Sequence, residues 1–334
     1  GGPALPEGVE VRALSDGQVP GWARDEITAR AAGDIDSVFD LNTALMADGA
    51  LIRVEKGVDA GVPLAILYLG HGGARHMRHV VVVEDGATLS LIEAYGSIGD
   101  GAELATAAVN WRIGDDAALD HVKVQLASEN ATHLATQISE IGANTRASSF
   151  TLTLGASFSR EQRHVRIGGE DSEVSVSGTY LLGGRQHGDT TLVVTHAAPG
   201  CESRERFKGL VDDAARGVFQ GSVIVERDAQ KTDARQSVDA LLLSDDARHD
   251  AKPELEIYAD DVQCGHGATT GELDENALFY LRARGIPKTD AERLLIQSFI
   301  HDGLEAVEHE GLKAALVMLA DQRLAARKPG KGDA

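Results

Sequence analysis

A cysteine and a histidine stand two residues apart in residues 252–271, which read KPELEIYADDVQCGHGATTG. The thiolate of Cys264 and the imidazole of His266 are ligands that suit iron and other transition metals. Because residues i and i+2 of an extended strand point to the same face, the two side chains are expected to project together. Two ligands are too few to hold a metal alone. The spacing therefore leaves two interpretations open: half of a metal site, or a buried cysteine beside a polar histidine.

Other residues that could act as metal ligands give weaker evidence of a metal site. The histidines of HGGARHMRH (His71, His76 and His79) could bind zinc, but no cysteine or carboxylate completes a recognised spacing. A solvated turn is the favoured interpretation. Cys201 follows a Pro-Gly pair, which predicts a loop or a strand edge rather than the deep core. The run SDDARHD, residues 244–250, is expected to form a charged turn between two strands.

Recognised catalytic motifs are missing from the sequence. It contains no GxxxxGK[ST] phosphate loop, no strand-borne GxGxxG, no GxSxG elbow and no HExxH helix. The sequence therefore predicts no assembled catalytic centre.

Composition narrows the classes of partner. The 334 residues carry a formal net charge of −20, which repels nucleic acid and anionic membrane surfaces. No apolar run approaches the roughly 18 residues that a membrane-spanning helix needs. Two cysteines without regular spacing indicate a reducing compartment rather than a disulfide framework. The first residue is glycine, so we expect a processed chain or a fragment shortened at its N-terminus.

Three regions must position these residues, and we expect domains over 1–49, 50–272 and 273–334. Residues 1 to about 20 are an irregular lead-in, and apolar residues at helical spacing from Trp22 to Met46, including Ile35, predict one or two short helices. From about residue 50, short runs rich in Val, Ile, Leu and Thr alternate with turn residues, which predicts an all-β body. Sandwich, barrel and solenoid are all compatible with it. Its length and its 4% aromatic content favour a solenoid of stacked aliphatic side chains.

Helical periodicity returns after residue 273. Asp274 is a plausible N-cap, and Gly285-Ile286-Pro287 should end the first helix. Further helical segments are expected over about 289–300 and 312–324.

Several stretches together resemble the SufB/SufD family of iron–sulfur cluster assembly scaffolds. They are His196-Ala197-Ala198-Pro199 with Lys208-Gly209, ARGVFQGSVIVERDAQKTDARQ (215–236), ALLLSDDA (240–247), the 252–271 stretch and LDENALFYLRARGI (273–286). Each motif alone is modest, and in this order they are specific. They are dense over about 145–300. The resemblance implies a right-handed parallel β-helix with a helical region at each end.

The resemblance also implies a function and partners. The resemblance implies a non-catalytic scaffold that pairs edge to edge with a SufB-like paralogue. It also implies docking of a SufC-like ATPase, in which the ATPase activity resides. Iron or a transient iron–sulfur cluster would be shared with that paralogue and not held stably by the isolated chain, and flavin in the complex is left open. The setting implied is the bacterial cytoplasm. The alternatives are a β-helix polysaccharide-active enzyme, against which the low aromatic content counts, and a free-standing metal-binding module.

Site residues follow from the resemblance, position by position. His266 matches a histidine at the contact with the paralogue, and Cys264 is an auxiliary candidate for binding iron or a nascent cluster. Ala247 stands where the SufB branch carries a cysteine, and Gly267 where it carries a glutamate, so both departures favour the other branch. The helical segment assigned to the ATPase contact contributes Leu273, Leu278, Phe279, Tyr280, Leu281, Leu294 and Phe299.

Overall fold

The chain forms a parallel β-solenoid of two facing sheets, as the sequence predicts. The computed structural model describes residues 5–31 and 36–327. The first sheet contains, in spatial order, β1 (Val9–Ala13), β2 (Ala50–Val54), β4 (Gly73–Val83), β6 (Glu103–Ile113), β8 (Ala131–Ile141), β10 (Phe158–Ile167), β12 (His187–His196), β14 (Arg216–Val225) and β16 (Arg248–Ile257). The second contains β3 (Leu64–Gly70), β5 (Thr88–Ser97), β7 (Ala118–Leu126), β9 (Arg146–Thr153), β11 (Glu173–Leu182), β13 (Glu202–Val211), β15 (Asp233–Leu242) and β17 (Gln263–Gly271).

Each rung places one strand in each sheet, and every rung pairs in parallel with the next. Paired residues lie from 26 positions apart, as in Thr132 and Phe158, to 32 positions apart, as in Arg216 and Arg248. The varying turn lengths between strands explain why the sequence shows no strict repeat.

Aliphatic side chains stack from rung to rung inside the solenoid. Val83, Ile113, Ile141 and Ile167 are register partners on consecutive strands of the first sheet, and all four are buried in one core cluster. Burying each such side chain contributes about 1.5–3 kcal/mol, which favours the strand pairing over any slip of register.

A charged cluster interrupts this core in the N-terminal half. Lys123 Nζ donates to Glu161 Oε2 at 2.5 Å, and Gln137 Nε2 donates to Glu161 Oε1 at 2.7 Å. Burial raises the pKa of Glu161, but Lys123 and Arg163 outweigh it and lower that pKa to about 2. The cluster is therefore internally neutralised, as buried ions must be.

The two ends of the solenoid differ in how the first sheet ends. At the N-terminal end, β1 pairs antiparallel with β2 and covers the edge of the first sheet. At the C-terminal end, β16 and β17 are the last strands of their sheets, and no other strand of the described residues pairs with their outer edges. We call β16 and β17, with the loop that joins them, the open rung.

Helices cover the outer faces of both sheets. Helix α1 (Ser37–Leu45) docks on the first sheet, where buried Arg78 donates from Nε to Asn42 Oδ1 at 2.9 Å. Helices α2 (Glu275–Ala283), α3 (Lys288–Leu304) and α4 (Glu310–Ala325) follow the open rung, and α3 and α4 pack on the second sheet. Asp274 caps α2 through the backbone N–H groups of Asn276 and Ala277, as predicted. None of the described helices is long and apolar enough to span a membrane.

The N-terminal expectations are only partly met. The irregular lead-in contains strand β1, and the helical segment from Trp22 to Met46 consists of two 3-10 turns, at Gly21–Ala23 and Glu26–Thr28, followed by α1. Ile35 lies outside the described residues. The β1 strand was missed because a five-residue strand has little periodicity of its own, and its pairing with β2 is non-local.

Two expectations about isolated ligand-type residues are wrong. His79 is not in a solvated turn: it lies within β4 and is fully buried, while His76 is half-buried on the same strand and His71 is exposed. Cys201 precedes β13 but is fully buried in the main core, where its thiol lies 3.2 Å from the Gly169 carbonyl oxygen. Neighbouring rungs enclose both residues, and sequence spacing does not show this.

Candidate functional site

Strand β17 holds Cys264 and His266 on the open rung. Cys264 pairs with Ala234 and His266 pairs with Gln236 on β15, so the two side chains share the strand face that lines the solenoid interior. Cys264 is half-buried against an apolar cluster that includes Val223. His266 is exposed because no further rung of the described residues covers it.

The thiol and its surroundings are arranged to keep the sulfur protonated. Burial raises the pKa of Cys264, and the negative charges of Asp233 and Glu205 raise it further, against the opposing effect of the Ala234 backbone N–H. A thiolate is the form that binds metal. In the isolated chain the raised pKa therefore favours the protonated thiol of Cys264 over the thiolate.

The glycines that flank His266 leave the other face of β17 bare. A Cβ added at Gly265 or Gly267 would meet no atom within 4 Å. Together with the unpaired outer edge of β17, this leaves space for another chain to approach the backbone beside His266.

Behind His266, a polar column runs into the solenoid. Gln236 pairs with His266 and Glu205 pairs with Gln236, so the three residues occupy one register position on β17, β15 and β13. Gln236 is 3% exposed and Glu205 is 1% exposed. Burial raises the pKa of Glu205 to about 7, although the Ser203 hydroxyl and Arg204 act to lower it. Sequence reasoning missed both residues because only the rung register brings them beneath His266.

Gly221 makes room for this column. It lies on β14, in the opposite sheet, and a Cβ at this position would collide with the side-chain amide of Gln236. The Gln236 amide therefore extends across the interior of the solenoid. The one available signal in the sequence, a glycine inside a strand-like run, indicates a close approach but not its partner.

A second set of polar side chains connects strands β16 and β17 of the open rung to the rest of the solenoid. The Tyr180 hydroxyl lies 2.6 Å from His249 Nε2, and His249 Nδ1 lies 3.0 Å from Thr270 Oγ1. His249 is in β16, so the charged turn expected over 244–250 covers only its first residues. This chain of contacts ties β17 to β11 and fixes the position of the open rung.

The open rung offers only part of a metal site. Within residues 5–31 and 36–327, no group of three or more His, Cys, Asp or Glu side chains is placed so that it could hold a metal ion. Cys264 and His266 are on one face, and Glu205 lies two strands away. A metal bound here would need ligands from another molecule.

The apolar residues predicted at the ATPase contact fall into two groups. Phe279, Tyr280 and Leu294 are exposed, at 73%, 55% and 46% respectively. Leu273 and Phe299 are half-buried and pack against the cluster between the helices and the second sheet, and Leu278 and Leu281 are half-buried. Only the first group presents an apolar surface to a partner.

The fold and this site define a class: a parallel β-solenoid protein whose open terminal rung presents a cysteine and a histidine on one strand face. Comparison with protein families shows which family of this class the chain belongs to. The family model described as "SUF system FeS cluster assembly, SufBD core domain" matches residues 68–299. The chain belongs to the SufBD family.

Characterised relatives are named for the same system. The chain is 32% identical over 279 residues to the iron-sulfur cluster assembly protein SufD of Escherichia coli, which covers 82% of this chain and 66% of the relative. It is 32% identical over 296 residues to a SufBD family protein of Synechocystis, covering 85% and 65%. It is 30% identical over 302 residues to SufD of Bacillus subtilis, covering 85% and 66%. The chain thus spans about 65–66% of the length of these relatives.

Proposed function

We propose that this chain is a scaffold subunit of SUF iron–sulfur cluster assembly that pairs its open rung with a SufB-like paralogue. The observation that carries the proposal is the open rung itself, which combines unpaired strand edges with the Cys264–His266 half-site. Strand edges of this kind are completed by pairing with another sheet, and a second subunit would supply the missing ligands. The position of the half-site at the strand edge supports cluster assembly at the interface between the two subunits.

Iron and the nascent cluster are the cargo of this site. Thiolate and imidazole suit iron and iron–sulfur species. His266 is the principal ligand in this proposal, and Cys264 is the auxiliary one. The partner paralogue shares the cargo, so we expect the isolated chain to carry no stably bound metal.

The C-terminal helices provide a second contact in the proposal. Phe279, Tyr280 and Leu294 expose apolar surface on α2 and α3, which suits the docking of a SufC-like ATPase. Turnover of ATP would belong to that partner. We place the complex in the bacterial cytoplasm, a reducing setting that suits the free thiols of Cys201 and Cys264.

The test is co-expression with SufB-like and SufC-like partners, followed by native mass measurement and cluster reconstitution. We expect one complex that contains all three proteins, and we expect His266→Ala to preserve the complex but to slow cluster formation by about tenfold or more, since an essential metal ligand is lost. His71→Ala, which removes an exposed histidine at the other end of the solenoid, is the control and should behave as the parent does.

Two outcomes would contradict the proposal. One is a chain that stays monomeric with both partners present. The other is a His266→Ala complex that forms clusters at the parental rate. Metal analysis of the purified chain separates the scaffold from a free-standing metal module, which would bind metal without partners.

A further inference from the structure

Glu205 is a buried carboxylate without a counter-ion in the interior of the solenoid. It is 1% exposed, and neither of its carboxylate oxygens has a hydrogen-bond partner of acceptable geometry within the described residues. The charged cluster around Glu161 shows the contrast, because there Lys123 and Arg163 neutralise the buried carboxylate. A buried and uncompensated carboxylate is costly, so its presence asks for an explanation.

The groups on its own strand do not neutralise Glu205. Arg204 acts on it from the outside of β13, but this guanidinium already forms ion pairs with Glu202 and Asp233, both at 3.1 Å. The Ser203 hydroxyl lies close enough to lower the pKa of Glu205, yet its resolved contact, at 2.9 Å, is with His196 Nε2.

The neighbouring strands also leave it without a cation. Burial lowers the pKa of His196 to about 4, so this imidazole is neutral near pH 7. The next strand presents the Gln236 amide, whose oxygen and nitrogen also lack hydrogen-bond partners among residues 5–31 and 36–327. Gly221 on β14 faces Gln236 and lies beside Phe219, and neither of these residues carries a charge. On the other side of Glu205, its register partner on β11 is the apolar Val176. Beyond Gln236 the column reaches Cys264 and His266 at the open rung.

We propose that Glu205 is the internal counter-charge for a divalent cation held at the open rung, with Gln236 as the polar group between them. The proposal rests on the proposed function, because it assigns Glu205 to the same Cys264–His266 site. Strands of a sheet are about 4.8 Å apart, so the backbone at Glu205 lies about 10 Å behind the backbone at His266. Over such a distance through the solenoid interior, opposite charges still attract appreciably, because the interior screens them less than bulk water does.

The chemistry of the arrangement selects a cation. Arrival of a divalent metal ion favours the carboxylate form of Glu205: the O–H bond breaks, the proton leaves to water and no electron is transferred. The ionised carboxylate then attracts the metal ion. An anionic species such as sulfide would be repelled instead. Glu205 is thus a positioning residue that biases the open rung toward the iron component of the cargo.

The experiment measures the affinity of the assembled complex for Co²⁺, with the absorption of cobalt bound to thiolate and imidazole as the readout. We expect Glu205→Gln, which keeps the shape and removes the charge, to weaken Co²⁺ binding about tenfold at about pH 8 and less at about pH 6. The pH dependence is the readout that a purely structural role would not change.

Controls separate charge from folding. Glu93→Gln removes another fully buried carboxylate, but β5 is six strands away from β17 in the same sheet, so Co²⁺ affinity should be unchanged. Gln236→Glu places a carboxylate one strand closer to the site and should tighten binding at about pH 8. Native mass and thermal melting confirm that each complex is intact.

The outcomes are distinguishable. Equal Co²⁺ affinities for the parent and Glu205→Gln at both pH values, with His266→Ala weakened, would overturn this inference and leave the proposed function standing. If His266→Ala also binds Co²⁺ as the parent does, the open rung is not the metal site and both proposals fail. Should Glu205→Gln not assemble, an unchanged affinity in Gln236→Glu would refute the inference.

Discussion

At the scale of single residues, the buried carboxylates of this solenoid differ in whether they have a positively charged or imidazole partner. Glu93 and Glu161 have cationic or imidazole partners, and the pKa of each falls to about 2 despite the opposing effect of burial. Glu205 has no such partner, and burial raises its pKa to about 7. The first arrangement stabilises the ionised form inside the protein, whereas the second makes ionisation costly near neutral pH.

This difference predicts a pH dependence of stability that belongs to Glu205. Because the folded-state pKa lies above the reference value of 4.5, folding is favoured most below about pH 4.5, and this contribution is lost as the pH rises through about 7. We expect Glu205→Gln to gain about 3 kcal/mol in free energy of unfolding relative to the parent between about pH 4.5 and about pH 8.

The measurement is urea denaturation of both proteins across this pH range. Histidines such as His196 titrate in both proteins, so their contributions cancel in the difference. A difference in free energy of unfolding between the two proteins that stays constant with pH would show that burial does not destabilise the ionised form of Glu205.

At the scale of elements, helix α3 packs on the solenoid, whereas helix α2 exposes apolar side chains to solvent. Helix α3 buries Ile296, Ile300 and Leu304 against the second sheet, whereas α2 buries no residue at all. A helix with no buried side chain gains little from its own chain, and its exposed Phe279 and Tyr280 are therefore available to a partner.

This division predicts that truncating a buried side chain lowers stability, whereas truncating an exposed one weakens partner binding. Ile300→Ala should lower the free energy of unfolding by about 2–4 kcal/mol, because it leaves a cavity under α3. Phe279→Ser should change stability by no more than about 0.5 kcal/mol, because the ring is exposed, yet it should weaken binding of a SufC-like ATPase about tenfold.

Chemical denaturation and a titration of the ATPase measure the two effects. Met318→Ser is the matched control, because Met318 is an exposed apolar residue on α4 that the proposal does not place in the contact. Undiminished ATPase binding by Phe279→Ser would remove α2 from the docking surface.

At the scale of the whole molecule, the solenoid is a one-dimensional stack in which each rung contacts its neighbours. Strand β1 covers the N-terminal edge of the first sheet, whereas the open rung has neighbouring strands on one side only. In such a stack the local free energy of opening is lowest at an uncovered end.

Hydrogen exchange should therefore differ along the stack. We expect the backbone amides of β17 to exchange faster than those of β11 in the isolated chain, and we expect a SufB-like partner to protect β17 selectively. Mass-spectrometric exchange with and without the partner tests this expectation, and β11 serves as the internal control. Unchanged exchange at β17 in a complex of the correct mass would place the partner on another surface.

The sequence by itself determined the kinds of elements and much of their order. Runs rich in β-branched residues between glycine- and aspartate-containing turns are sufficient to predict an all-β body, because each strand is short and locally patterned. The length of this body and its few aromatic residues favour a solenoid over a sandwich or a barrel. The cap at Asp274 and the helix break at Gly285-Ile286-Pro287 were also predictable, since capping and proline geometry act within a few residues. The motif order from about residue 196 to 286 was enough to indicate the family.

Only the tertiary structure decided which distant residues meet. Glu205, Gln236 and His266 form one column because two successive turns have lengths that bring them into register, and these lengths vary from rung to rung. The same non-local register buried His79 and Cys201, against expectation, and revealed the His249 contact with Tyr180. Local propensity acts over a few residues, whereas rung register is set by the packing of the whole stack.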